Sequence, residues 1–226
     1  MKRSEINAAI KKMEALLREH RFLLPGFCSW TPGDWKTRGR EYDEIRDTML
    51  GWDVTDFGGG KFNEIGLVLV TIRNGNTKNK AYTKTYAEKV IMVEEGQFCP
   101  YHFHWKKMED IINRGGGNVV FKLYNAAKDG QRETTDVEIN QDGRKYTVKA
   151  GQEIILLPGE SLTLYPYSYH EFTAQRGTGT ALIGEVSMCN DDKEDNRFYE
   201  QMGRFPAIEE DEAPHRLLCS EYGAAT

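Results

Sequence analysis

Residues 96 to 111 read "GQFCPYHFHWKKMEDI", and within them His102 and His104 stand one residue apart, with Glu109 five positions after the second. On a strand, side chains at i and i+2 point to the same face. His102 and His104 would therefore project together, while Phe103 and Trp105 face the other way. Glu109 follows at a distance that lets the chain turn a corner and return a carboxylate toward the two imidazoles. The chain has only five histidines. His20 falls in a helical N-terminal segment and His215 in a polar tail after Pro214, which leaves His170, in the alternating run "YPYSYHEFTA", as the third imidazole from a distant strand. Three imidazoles and one carboxylate suit a divalent cation such as Mn²⁺, Fe²⁺, Co²⁺, Ni²⁺ or Zn²⁺, with one or two positions open to water or substrate. Taken alone, an HxH pair is equally consistent with ordinary surface polarity.

Elements must hold such a set, and the pattern of the chain says which. Ser4 and Glu5, followed by Ile6, Ala9, Ile10, Met13, Leu16 and Leu17, predict a capped amphipathic helix over about residues 4–20. Pro25 and Gly26 lie beyond its end, "WTPGDWKTRGR" reads as a turn-rich loop, and "EYDEIRDTML" as a helical turn or two. From Gly51 onward the chain becomes a series of short β-branched and aromatic runs, at about 52–56, 65–72, 88–94, 100–105, 118–124, 134–139, 145–148, 153–157, 161–165, 169–174 and 180–187. Strands so closely spaced predict an antiparallel sandwich or barrel, not a parallel α/β sheet. Asp142-Gly143 marks a hairpin between two of them. A further helical turn is expected near "DNRFYEQM". The expected organisation is a single domain over residues 1–226: a helical and loop extension to residue 50, a barrel over 51–190, and a tail over 191–226.

Composition narrows the partners. The 226 residues are 39% hydrophobic and 29% charged, with net charge -5, which gives nucleic acid or an anionic membrane surface no basic excess to bind. No run approaches the roughly 20 apolar residues of a membrane span. Cys28, Cys99, Cys189 and Cys219 are scattered without a CxxC pair, so a reducing cytoplasm is expected. Neither GGG run, at 58–60 or 115–117, fits the strand–GxGxxG–helix pattern of nucleotide binding.

Gly96, His102, His104, Glu109 and Gly116 are spaced G-x5-H-x-H-x4-E-x6-G, which resembles the first motif of the cupin superfamily. Gly151, Pro158, Gly159 and His170 follow in the order of its second motif, with a longer gap before the histidine. The resemblance implies a mainly all-β double-stranded β-helix, or jelly-roll, barrel with the metal inside. Beside these motifs, Lys107, Glu185, Asp191, Asp192, Asp195 and Arg197 form a dense charged set suited to holding the hydroxyls of a sugar, although an acidic run such as "NDDKEDN" is often only a solvated turn. Tyr101, Trp105, Tyr165, Tyr167, Tyr169 and Phe172 are expected mostly in packing.

The blocks "VIMVEEGQFCPYHFHWKKMEDIINRGGGNVVFKLYNA", "GQEIILLPGESLTLYPYSYHEF" and "GEVSMCNDDKEDNRF", with the opening "MKRSEIN", together resemble the bacterial D-lyxose ketol-isomerases of that superfamily. That resemblance implies a dimeric aldose–ketose isomerase interconverting D-lyxose and D-xylulose, and D-mannose and D-fructose, with Mn²⁺ the expected metal. Shifting a carbonyl between C1 and C2 needs a proton removed and returned, an enediolate stabilised by a Lewis acid, and a base. Glu185 is the expected base, and Lys107 the group that polarises or protonates the oxygens. Asp191, Asp195 and Arg197 are expected to join them in binding substrate. A metal-assisted hydride shift, a cupin dioxygenase using Fe²⁺, and a non-enzymatic sugar-binding cupin are the competing readings.

Overall fold

The alternation seen in the sequence becomes two facing antiparallel sheets in a computed structural model that describes residues 1–192 and 194–222. The larger sheet has the spatial order β1 (Gly51–Thr55), β2 (Leu67–Arg73), β3 (Tyr86–Val93), β12 (Ala181–Met188), β5 (Glu109–Gly116), β10 (Ser161–Leu164), β7 (Val137–Gln141) and β8 (Arg144–Val148). The smaller has β13 (Asn196–Phe198), β4 (Phe98–His104), β11 (Ser168–Ala174), β6 (Val119–Asn125) and β9 (Glu153–Leu156). This is the expected double-stranded β-helix of the cupin type. Leu69, Ile91 and Ile111 of the first sheet and Phe121, Leu123 and Phe172 of the second share the apolar core between them.

Because the strand period is two, the same strands bury a second set of residues on their other side. Val68, Val70, Val90, Met92 and Leu182 turn outward and meet the apolar stripe of α1 (Arg3–Glu19), formed by Ile6, Ile10 and Met13. "LVLV" in β2 and "VIMV" in β3 are unbroken apolar runs for this reason: both faces are covered. The N-cap of α1 is Lys2, not Ser4 as expected. The Lys2 backbone N–H donates to the Glu5 carboxylate at 2.7 Å, while Ser4 donates its own N–H and hydroxyl to Asp211. The acidic tail straps the helix down, with Glu210 and Glu221 both receiving the buried Arg3 guanidinium.

"EYDEIRDTML" forms a short 3-10 turn at Arg40–Tyr42 followed by a helical turn at Asp43–Asp47. Asp142 and Gly143 both take positive φ, +52° and +81°, as a two-residue turn joining β7 to β8 requires. Two elements differ from expectation. β5 is a strand although it was not among the predicted runs, because its inward positions include Glu109 and Asn113, which hide the alternation. The segment expected to make a helical turn near residue 196 is instead β13, paired antiparallel to β4. Among the described residues, no helix is long and apolar enough to cross a membrane.

Candidate active site

His102 and His170 are register partners on β4 and β11, and their ring centroids lie 4.1 Å apart. His104 joins them from the same face of β4, and one ligand nitrogen from each of the three falls within 4.8 Å of the others. After His104 the chain turns through Trp105–Met108 and crosses to the facing sheet, where Glu109 is the first residue of β5. Its Oε1 lies 3.2 Å from Nε2 of His104 and 3.4 Å from Nε2 of His170. All four side chains are buried. Phe103 points the other way, into an aromatic cluster with Trp105, Tyr167 and Tyr169.

The protonation pattern fits a cation. Nδ1 of His102 faces the Pro100 carbonyl at 2.8 Å and Nδ1 of His170 faces the Ser168 carbonyl at 3.0 Å. A carbonyl only accepts, so each Nδ1 carries the proton and each Nε2 keeps a lone pair. Burial, then repulsion from the neighbouring histidines, holds His102 well below the usual imidazole range, and burial lowers His170 to about 4. Burial alone would raise Glu109, but the adjacent Lys107 ammonium and His104 outweigh it and keep the carboxyl well below the ordinary value. The neutral imidazoles of His102 and His170 and the anionic carboxylate of Glu109 are donors of the kind that a divalent transition ion takes.

Lys107 lies beside this set. Its Nζ is 2.6 Å from Oε2 of Glu109 and 2.9 Å from Oε1 of Glu185. Glu185 sits on β12, with Lys89 of β3 as its cross-strand neighbour, and its Oε1 also meets Lys89 Nζ at 3.2 Å and Ser187 Oγ at 3.1 Å. Burial would lower Lys107, but the two carboxylates reverse that and raise it above its ordinary value. The chamber bounded by these groups has a volume of about 50 Å³, and Lys107 also lines a larger neighbouring cavity of about 850 Å³ under the 76–85 loop.

The family model for D-lyxose isomerase matches residues 1–222. The chain belongs to the D-lyxose isomerase family. Two relatives are similar to it over 98% of both chains: the D-lyxose/D-mannose isomerase of Escherichia coli O157:H7 at 44% identity over 223 residues, and that of Serratia proteamaculans at 46% over 224. Among solved structures, the L-ribose isomerase of Cellulomonas parahominis with L-ribose superposes with a TM-score of 0.61 at 16% identity. That of Geodermatophilus obscurus gives 0.62 at 14%, and each comparison covers 92% of this chain and 98% of the other. At such identities these structures speak for the fold alone. Family membership makes the protein an aldose–ketose isomerase, in place of the oxygenase and non-enzymatic readings.

Within the D-lyxose isomerase fold, the remaining expected residues divide. Asp195 is buried, and its carboxylate accepts the backbone N–H groups of Lys106 and Lys107 at 2.9 and 3.0 Å. It holds the turn that carries Lys107. Asp191 pairs with Lys78 at 3.1 Å on the wall of the larger cavity. Arg197 is exposed and stands opposite Phe103 in the β13–β4 register, near Gly130, on the outside of the sheet. It is not among the residues that line the chamber.

The guanidinium that lines the chamber is Arg204, bonded through Nη2 to Asp53 at 2.6 Å and Asp192 at 3.2 Å. Arg204, Lys89 and Asn190, whose Oδ1 accepts from Lys89 at 2.8 Å, were not singled out in the sequence. Lys89 did leave a signal: it shares a strand face with Ile91 and Val93, where a core residue is expected. Arg204 lies in a loop with no periodicity to reveal it.

Proposed function

We propose that the protein interconverts D-lyxose and D-xylulose, and D-mannose and D-fructose, with a divalent metal, most simply Mn²⁺, held by His102, His104, Glu109 and His170. The observation that supports this reading is the placement of Lys107 between the metal-facing carboxylate Glu109 and the second carboxylate Glu185. The ion would supply Lewis acidity to the substrate oxygens beside it.

Glu185 is the proton shuttle. Three donors converge on its Oε1, which leaves Oε2 to take the proton from C2 of the aldose as the C2–H electrons form the C1=C2 bond and charge moves onto the carbonyl oxygen. The enediol(ate) then collapses: Glu185 returns the proton to C1 as the C1=C2 electrons take it up, and the C2 hydroxyl passes its proton to the C1 oxygen, so that C2 becomes the ketose carbonyl and C1 carries the hydroxyl. Lys107, kept protonated by its two acid neighbours, donates toward the oxygen on which charge develops. Asp195 fixes the Lys107 backbone, and Asp191 stands at the wall from which a sugar would enter. We also propose that the protein is a homodimer and works in a reducing cytoplasm, which its four free cysteines suit.

The test is an assay of metal-loaded protein with all pentoses and hexoses in D₂O. Ketose from D-lyxose and D-mannose carrying solvent deuterium at C1 is the expected result. Full retention of the substrate hydrogen would indicate a hydride shift and remove Glu185 from its role; no ketose from any aldose would sink the proposal.

A further inference from the structure

Two buried nitrogens on residues that line the chamber have no hydrogen-bond partner among the described residues, Nδ1 of His104 and Nη1 of Arg204, and only the second lies outside the histidine cluster. Arg204 has a fork of N–H donors. Its contacts with the carboxylates of Asp53 and Asp192 both fall on Nη2, while Nη1 is buried without a hydrogen-bond partner among the described residues. Its side chain is 12% exposed. Buried donors are almost always paired in native proteins, so an orphan lining a reaction chamber needs an explanation.

The placement is also fixed. The Arg204 carbonyl accepts the Thr55 hydroxyl at 2.7 Å, and the neighbouring Gly203 N–H donates to the Phe57 carbonyl at 3.1 Å. Loop and guanidinium are tied to the end of β1 at three points, so Nη1 cannot relax toward another partner without breaking them.

Charge decides what the orphan would bind. Two carboxylates already face one guanidinium, so a phosphate or carboxylate ligand would add a third anion to a group whose own charges already sum to a net negative. A neutral acceptor, a hydroxyl, satisfies Nη1 at no such cost. The reacting oxygens at C1 and C2 belong with Lys107 and the metal-facing donors, which leaves the rest of the sugar for Arg204.

We infer that Arg204 is a specificity-determining residue that donates from Nη1 to one non-reacting hydroxyl of a neutral monosaccharide. The inference rests on the proposed isomerisation. It excludes sugar phosphates and sugar acids as preferred substrates, and it places substrate recognition on a loop residue outside the cupin motifs.

The experiment compares kcat/KM of the metal-loaded wild type and Arg204→Lys for the best aldose and for its monodeoxy analogues lacking each non-reacting hydroxyl in turn. A lysine keeps the charge but lacks the second fork nitrogen. The wild type should lose about 10- to 100-fold for one deoxy sugar. Arg204→Lys should lose a similar factor with the intact sugar and little more when that same hydroxyl is missing. Equal deoxy penalties in both proteins at every position would overturn the inference.

Because Arg204→Lys could fail to fold, a crystal structure of the wild type with metal and the corresponding sugar alcohol gives an independent reading. Nη1 within hydrogen-bond distance of a ligand hydroxyl is expected; Nη1 bonded only to protein or water would overturn the assignment. A wild type that isomerises no sugar would count against the proposed function, and the crystal result would still report on Nη1.

Discussion

Lys107 Nζ lies 2.9 Å from Glu185 Oε1, and the two side chains are buried together at 2% and 6% exposure. The pair joins two distant parts of the chain: the turn after the HxH strand, and the late strand β12. Glu109 closes the set from the other side of the ammonium. Lys89 adds a second cation to Glu185, so two ammonium groups face two carboxylates, and the cluster is neutral before any metal is added. Burying charges is tolerable only in such matched sets.

Glu185→Gln should keep the fold and the metal while losing the base. The amide oxygen can still accept from Lys107 and Lys89, so the packing changes little. The expected loss is about 10²–10⁴-fold in kcat, with metal content unchanged by elemental analysis. Deuterium incorporation at C1 of the ketose should fall in parallel. A variant that turns over within a few-fold of wild type would end the case for Glu185 as shuttle.

Lys107→Met should cost both stability and activity. It leaves Glu109 without the cation that holds it ionised, and removing one partner of a buried charge pair costs about 3–5 kcal/mol. Denaturant unfolding reads that loss directly. Glu185 retains Lys89, so Lys107→Met together with Glu185→Gln should lose less than the sum of the two single changes.

Removing metal with a chelator should lower the melting temperature, and adding Mn²⁺ should restore it. A ligand that binds only the folded chain stabilises by about 2.7 kcal/mol at 100 times its dissociation constant. His170→Ala removes the only one of the three imidazoles that comes from β11, so its melting temperature should hardly respond to the ion. A wild type indifferent to chelation and to all of Mn²⁺, Co²⁺, Ni²⁺ and Zn²⁺ would speak against the site.

What could be read from the sequence, and what could not, follows from strand parity. His102 and His104 were legible as a pair because i and i+2 share a face whatever the rest of the fold does. β5 was not, because Glu109 and Asn113 occupy inward positions and break the apolar alternation that identifies a strand. β13 is three residues long and is defined by its pairing with β4. Without that pairing, no parity could be assigned in "DNRF". In register, Asn196 and Phe198 fall opposite His104 and His102, and Arg197 falls opposite the outward Phe103. Arg197 therefore faces out for the same reason that the histidines face in. The guanidinium that lines the chamber comes instead from Arg204, on a loop, where sequence spacing carries no direction.

Asp192→Asn tests the charge network around Arg204 through pH. Burial would raise the Asp192 carboxyl, but Arg204, then Lys89 and Lys107, outweigh it and depress it below its ordinary value. A carboxyl depressed on folding binds fewer protons in the folded than in the unfolded chain near its unfolded pKa of about 3.9. Its stabilisation is therefore complete above that pH and fades as pH falls toward the folded value. Since Arg204 keeps Asp53 at 2.6 Å in the variant, the loss at pH 7 should be about 1–3 kcal/mol, within the range for unpairing one buried hydrogen-bonding partner. Unfolding free energies of wild type and variant should differ by that amount from pH 7 down to about pH 5, and converge below about pH 4. A gap that stays constant to pH 3 would mean that the Asp192 charge contributes nothing and that the variant acts through packing alone.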